Sequence, residues 1–155
     1  MLPLYITSGE PAGIGPDISL DLADRVDDRP VVVLADINML KDRAKILNKT
    51  IQLIEYQGQK QGLAEGQLYV EHVPLNEDVV LGELNPQNSA YVIEQLRRTA
   101  YYAMQGSSVG VATGPVQKSI INDAGIYFSG HTEYYQEFAG VDRVVMMLAT
   151  KTLRV

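Results

Sequence analysis

Apolar residues along this chain fall in short runs, separated by polar stretches that carry glycine or proline. Pro3 to Thr7 reads as a first strand. The loop Ser8-Gly9-Glu10-Pro11-Ala12-Gly13-Ile14-Gly15-Pro16 follows; its glycines permit close backbone approach, and Pro16 suits the first turn of a helix. Asp17 falls where negative charge favours a helix N-terminus, and Ile18, Leu22 and Val26 predict one apolar stripe on that helix. Val31 to Ala35 is continuously apolar and β-branched at its start, the pattern of a strand covered on both faces. Asp36 then caps a helix whose Ile37, Leu40, Ala44 and Leu47 lie near one face, and Ile51 to Tyr56 reads as a third strand.

Beyond a polar loop at Gln57 to Gly66, Leu68 to Val73 alternates apolar and polar residues and predicts an edge or peripheral strand. Asn85-Pro86 starts a helix carrying Ala90, Ile93, Leu96, Ala100 and Met104, which Gly106 stops. Val109 to Ala112 predicts a central strand that breaks at Thr113-Gly114-Pro115; a helix to Gly125 and a polar turn at Ser129-Gly130-His131-Thr132 come next. Tyr134, Tyr135 and Phe138 make an aromatic face, and Val144 to Ala149 predicts another buried strand, with Met146 and Met147 as core filling. Strands alternating with helices through short connections favour an open α/β sheet with helices on both faces. Ligands collect at strand ends in such folds, which singles out Thr113, Lys118, His131 and Thr132.

Length and composition narrow the classes. A chain of 155 residues with 46% hydrophobic content is the size of one domain and fills a core. A net charge of -6 opposes contact with nucleic acid or anionic membranes, and no local basic patch offsets it. The lack of cysteine removes disulfides, cysteine zinc sites and thiol nucleophiles. There is neither a basic leader nor an apolar run approaching ~20 residues, so the expectation is a soluble cytoplasmic protein with no membrane partner. Thr150 to Val155 reads as the start of a further element, which suggests a portion of a larger protein.

The candidate chemistry leaves alternatives open. The Gly9 to Gly15 loop matches neither GxGxxG nor GxxxxGK[ST], so scaffold and ligand-facing roles both fit, and Glu10 is a functional acid or a solvent-facing turn residue. Lys118, read as one turn inside a helix, fits a phosphate or carboxylate partner and equally an ordinary solvated face. Gly130-His131-Thr132-Glu133 is the best polar cluster, since histidine donates and accepts near neutral pH and threonine orients an oxygen-bearing ligand. A capping or interface role for His131 fits as well. His72 reads as structural, and its separation from His131 supplies no metal-ligand spacing, so no metal site is assigned.

Three blocks together are specific: TSGEPAGIGPD at Thr7 to Asp17, ATGPVQKSIINDAGIYFSGHTE at Ala112 to Glu133, and VVMMLAT at Val144 to Thr150. In this order they resemble the 4-hydroxythreonine-4-phosphate dehydrogenase (PdxA) family of vitamin B6 biosynthesis. The resemblance implies a Rossmann-like open α/β sheet of the isocitrate/isopropylmalate dehydrogenase-like type, with residues 1–155 the N-terminal portion of a two-domain homodimeric enzyme whose remainder is absent. It implies oxidation of 4-phosphooxy-L-threonine with NAD or NADP, followed by decarboxylation of the 3-oxo acid to 3-amino-2-oxopropyl phosphate. The family's substrate-contacting pair matches His131 and Thr132, with Lys118 in a supporting role. No catalytic or cofactor-binding residue is carried over, and the divalent metal's ligands are expected beyond Val155. The alternative reading is a non-catalytic binding module for phosphorylated metabolites.

Overall fold

In a computed structural model describing residues 1–155, the chain folds around a five-stranded sheet, order β3-β4-β2-β1-β5, in which every pairing is parallel. The strands are β1 (Leu4–Thr7), β2 (Val31–Ala35), β3 (Gln52–Glu55), β4 (Gln67–His72) and β5 (Gly110–Thr113). Five α-helices join them: α1 (Gly15–Leu20), α2 (Ile37–Ile46), α3 (Ser89–Met104), α4 (Lys118–Asp123) and α5 (His131–Ala139). Two 3-10 turns, Asp21–Asp24 and Pro86–Asn88, extend α1 and lead into α3. The expected open parallel α/β sheet of Rossmann-like type is what the chain forms.

Val32, Val33, Leu34 and Ala35 are fully buried, as a continuous apolar run demands of a strand covered on both faces. α1 and α2 pack on each other, while α3 packs on β1 and β5. The connection leaving β1 runs towards β2, whereas β5 joins the other side of β1, so the strand order reverses between β1 and β5. In parallel sheets the carboxyl ends of such a strand pair open a crevice. Here that crevice is filled with backbone. Glu10 N–H donates to the Pro115 carbonyl at 2.9 Å, and Gly114 N–H donates to the Thr7 carbonyl at 2.8 Å. A Cβ on Gly9 would lie 2.2 Å from the Pro115 carbonyl oxygen, and one on Gly114 would lie 2.4 Å from that of Thr7. The glycines of both loops are there so that two main chains can touch.

Asp36 caps α2 as expected, its Oδ1 accepting from Asn38 N–H at 2.8 Å and Met39 N–H at 3.0 Å. Arg43 is buried and gives its guanidinium to Asp17, to the Gly13 carbonyl and to the Pro11 carbonyl, which ties α2 to the first loop. His72 is structural as expected: its Nδ1 accepts from Ile37 N–H at 3.2 Å.

Four expectations are corrected. β4 lies between β2 and β3 instead of at an edge; its apparent alternation arises because Tyr69 buries its ring against Tyr56 and Glu71 is paired with Arg98 and Tyr102. β5, expected to be central, is an edge strand paired with β1 alone. The predicted α1 stripe is wrong: Ile18 and Val26 are exposed, because the helix ends at Leu20 and the tighter 3-10 turn changes the phase, burying Ser19, Leu20 and Ala23. Residues 144–149 are not a buried strand. Val145 is 86% exposed and Met146 71%, and Leu148 and Val155 exchange backbone hydrogen bonds of 2.8 Å around a turn. Apolar patterning records that a segment wants cover, and no element of this chain supplies it.

Gly15→Ala tests the loop packing. Its Cβ would stand 1.8 Å from the Ser8 carbonyl oxygen, a backbone atom with no free path aside. Urea unfolding should show a loss of about 3 kcal/mol; a stability equal to that of the native sequence would refute the account.

Candidate functional site

The polar residues singled out from the sequence converge where α4 and α5 begin. Lys118 is the first residue of α4, not one turn inside it. Its ammonium reaches across to α5: a Cβ on Gly130 would be 3.3 Å from Lys118 Nζ and 2.8 Å from Glu133 Oε2. His131 and Thr132 open α5 directly after Gly130, which has no side chain to cap it. The turn thus brings Lys118, His131 and Thr132 together. Thr113 ends β5 with its side chain exposed and Gln117 is exposed as well.

What returns the chain from α4 to α5 is Asn122. Its amide donates to the Lys118 carbonyl at 2.7 Å and the Phe128 carbonyl at 2.9 Å, and accepts from Phe128 N–H at 3.1 Å. Phe128, so held, is buried and meets the His131 ring edge-to-face at 6.0 Å. Sequence reasoning missed Asn122, although an asparagine one residue before the end of a short helix signals local bonding of this kind.

Unused hydrogen-bonding capacity marks the site. His131 Nε2 is buried with no partner, alone among the buried side-chain polar atoms. The N–H groups of His131, Thr132 and Glu133 form the uncapped first turn of α5 and have no acceptor in the chain. Lys118 and Thr132 form no side-chain hydrogen bond, and Lys118 has no ion-pair partner within 4.0 Å. Burial, with the Lys118 charge adding to it, pushes the His131 imidazole below its usual value of 6.5 and keeps it neutral at physiological pH. A neutral ring, a hydroxyl, an ammonium and open amides together suit an oxygen-rich anion; the Glu133 carboxylate, on the same turn, opposes one.

A concavity of about 730 Å³ lies elsewhere, against α2 and residues 75–81, and takes no lining residue from the 113–133 segment. Its acidic rim of Asp42, Glu77 and Asp78 does not favour an anion.

Neither a metal nor a nicotinamide pyrophosphate finds a complete receptor among these residues. No three His, Cys, Asp or Glu side chains are grouped as a metal site requires. In the first loop, Gly9 N–H donates to Gln95, Glu10 N–H to Pro115, and both Ala12 and Gly13 N–H to Glu10, so these four amides are already engaged.

Residues 27–155 match the family described as pyridoxal phosphate biosynthetic protein PdxA. The chain belongs to the PdxA family. It is 49% identical to a 4-hydroxythreonine-4-phosphate dehydrogenase of Pseudoalteromonas translucida, covering 99% of this chain and 47% of that protein. It is 46% identical to one from Vibrio cholerae, covering 97% of this chain and 46% of that protein. The crystal structure of 4-hydroxythreonine-4-phosphate dehydrogenase from Klebsiella pneumoniae superposes with a TM-score of 0.88 at 27% identity, over 99% of this chain and 49% of that one. This PdxA chain therefore spans about half the length of the curated relatives it matches. No helix is long and apolar enough to cross a membrane.

Two titrations of opposite sign follow. For His131 the folded value lies below the unfolded 6.5, so its contribution to stability is full above 6.5 and is lost as pH falls through the folded value. Lys118→Met should move the His131 midpoint, followed by NMR, up towards 6.5 and weaken this acid loss; an unmoved midpoint would disprove the coupling. Glu10 is buried, and that burial raises its carboxyl above 4.5, so its contribution is full below 4.5 and is lost as pH rises through the folded value. Glu10→Gln should accordingly stabilise the fold at neutral pH, in thermal unfolding, with the advantage disappearing below about 4.5.

Proposed function

We propose that this chain is the substrate-positioning portion of a two-domain 4-hydroxythreonine-4-phosphate dehydrogenase of the isocitrate/isopropylmalate dehydrogenase-like type. The reaction is the NAD(P)-dependent oxidation of 4-phosphooxy-L-threonine to the 3-oxo acid, which loses carbon dioxide to give 3-amino-2-oxopropyl phosphate for pyridoxal 5'-phosphate synthesis. In this reading the whole enzyme is a cytoplasmic homodimer. The observation that carries the proposal within this chain is the open start of α5, where His131 Nε2 and three amide N–H groups lack partners beside the Lys118 ammonium. The names and identities of the relatives supply the reaction.

His131 and Thr132 orient the substrate. The neutral imidazole gives one donor and one acceptor, the threonine hydroxyl adds one of each, and Lys118 with the first turn of α5 counters the negative charge of the phosphorylated amino acid. When bound, a divalent metal polarises the substrate oxygens and the nicotinamide accepts hydride; both are held by residues outside this chain.

Calorimetry of the chain with 4-phosphooxy-L-threonine should show saturable binding. His131→Ala is expected to raise Kd about tenfold, a loss of about 1.4 kcal/mol. Lys118→Ala should raise it about threefold, by a margin that shrinks with added salt. In a PdxA protein of full family length carrying these residues, NADH should form only when substrate, NAD and divalent metal are all present. Absence of saturable heat from the chain, or of substrate-dependent NADH from the full-length protein, would overturn the assignment.

A further inference from the structure

α5 carries both the imidazole and the open amides of the candidate site, yet none of its residues is fully buried. It packs principally on α3. One hydrogen bond joins it to another element: the Tyr135 hydroxyl lies 3.0 Å from Thr99 Oγ1. Thr99 is fully buried on α3, and its own proton goes to the carbonyls of Gln95 and Leu96, both at 3.0 Å. The Tyr135 hydroxyl is therefore the donor between the two, and burial raises its phenol, which keeps that proton in place.

Helix geometry makes this bond matter to the site. Tyr135 is four residues beyond His131, on the same face one turn along. Tyr134, three residues beyond, meets Phe128 at 6.2 Å, and Phe128 in turn meets the His131 ring. Tyr134 and Tyr135 pack against the core only in part, and a rotation of α5 by about 20° would sweep a side-chain tip at a radius of about 6 Å through about 2 Å. A displacement of that size is enough to lose a positioned contact. We propose that Tyr135, through its hydrogen bond to Thr99, is a positioning residue that sets the rotation of α5 and thereby the aim of His131 and the adjoining amides. The same face of α3 also indexes the first loop. One turn before Thr99, the Gln95 side chain clasps Gly9, accepting from its N–H at 3.1 Å and donating to its carbonyl at 3.3 Å. A buried polar row on one helix thus aligns both the strand-end loop and the helix that carries the ligand groups.

This inference rests on the substrate reading above, and its test separates the two. Tyr135→Phe removes one oxygen and keeps the ring; Thr99→Val removes the accepting hydroxyl and keeps the shape; Thr99→Ser restores it. The His131 imidazole resonances, followed by NMR, should shift in Tyr135→Phe and Thr99→Val and stay close to native in Thr99→Ser. Kd for 4-phosphooxy-L-threonine should rise about fivefold in each of the first two variants, and no further in the double variant, because both lose the same bond. Lowered thermal stability with unmoved His131 resonances would show Tyr135 to be packing alone and overturn the proposal, as would a Thr99→Ser variant that behaves like Thr99→Val. If the native chain binds no substrate, the substrate reading fails, and the resonances by themselves decide whether Tyr135 positions His131.

Discussion

Direct main-chain contact between the loop after β1 and the loop after β5 is the constraint on which the rest of this structure depends. Gly9 and Gly114 leave room for it, Gly15 lets α1 start against the Ser8 carbonyl, and hydrogen bonds from Glu10 to Pro115 and from Gly114 to Thr7 close it. On one side Arg43 grips the Pro11 and Gly13 carbonyls from α2; on the other, Tyr91 and Gln95 reach the loop from α3 and each bonds to Ser8 in full burial. Pro115 leads within three residues to Lys118, so the position of that ammonium depends on the same contact.

The first loop and the start of α5 are opposites in their hydrogen bonding. Around Gly9 the buried polar groups are paired, which is the ordinary condition of a folded interior and the source of its rigidity. At His131 a buried nitrogen and an uncapped helix turn are left without partners, at a cost of roughly 1–3 kcal/mol for a buried unsatisfied group. A saturated scaffold holding an unsaturated turn is the arrangement expected of a preorganised binding site, where the missing partners arrive with the ligand. α3 connects the two: its apolar side chains, Val92 and Leu96 among them, fill the core, while Gln95 and Thr99 fix what lies at either end.

The apolar residues near Val155 are exposed. The relatives are about twice as long as this chain, and the apolar residues Val145, Met146, Met147 and Leu148, together with the free edge of β5, are surfaces that a longer protein has the material to cover.

The residues alone were enough for the α/β class, the cap at Asp36, the doubly covered β2 and the polar turn at His131, because each is written in local pattern: a cap, an apolar run, a glycine beside a histidine. The family blocks added His131 and Thr132 as the pair proposed to meet the substrate. Strand order was beyond local pattern. It placed β4 inside and β5 at the edge, since lateral position depends on which strands meet and apolarity reports only burial. The same limit hid the pairings of Arg43 with Asp17, Gln95 with Gly9 and Thr99 with Tyr135, each between residues at least 26 positions apart. Polar side chains reveal their partners only when the fold brings them within about 3 Å, and that distance belongs to the tertiary structure.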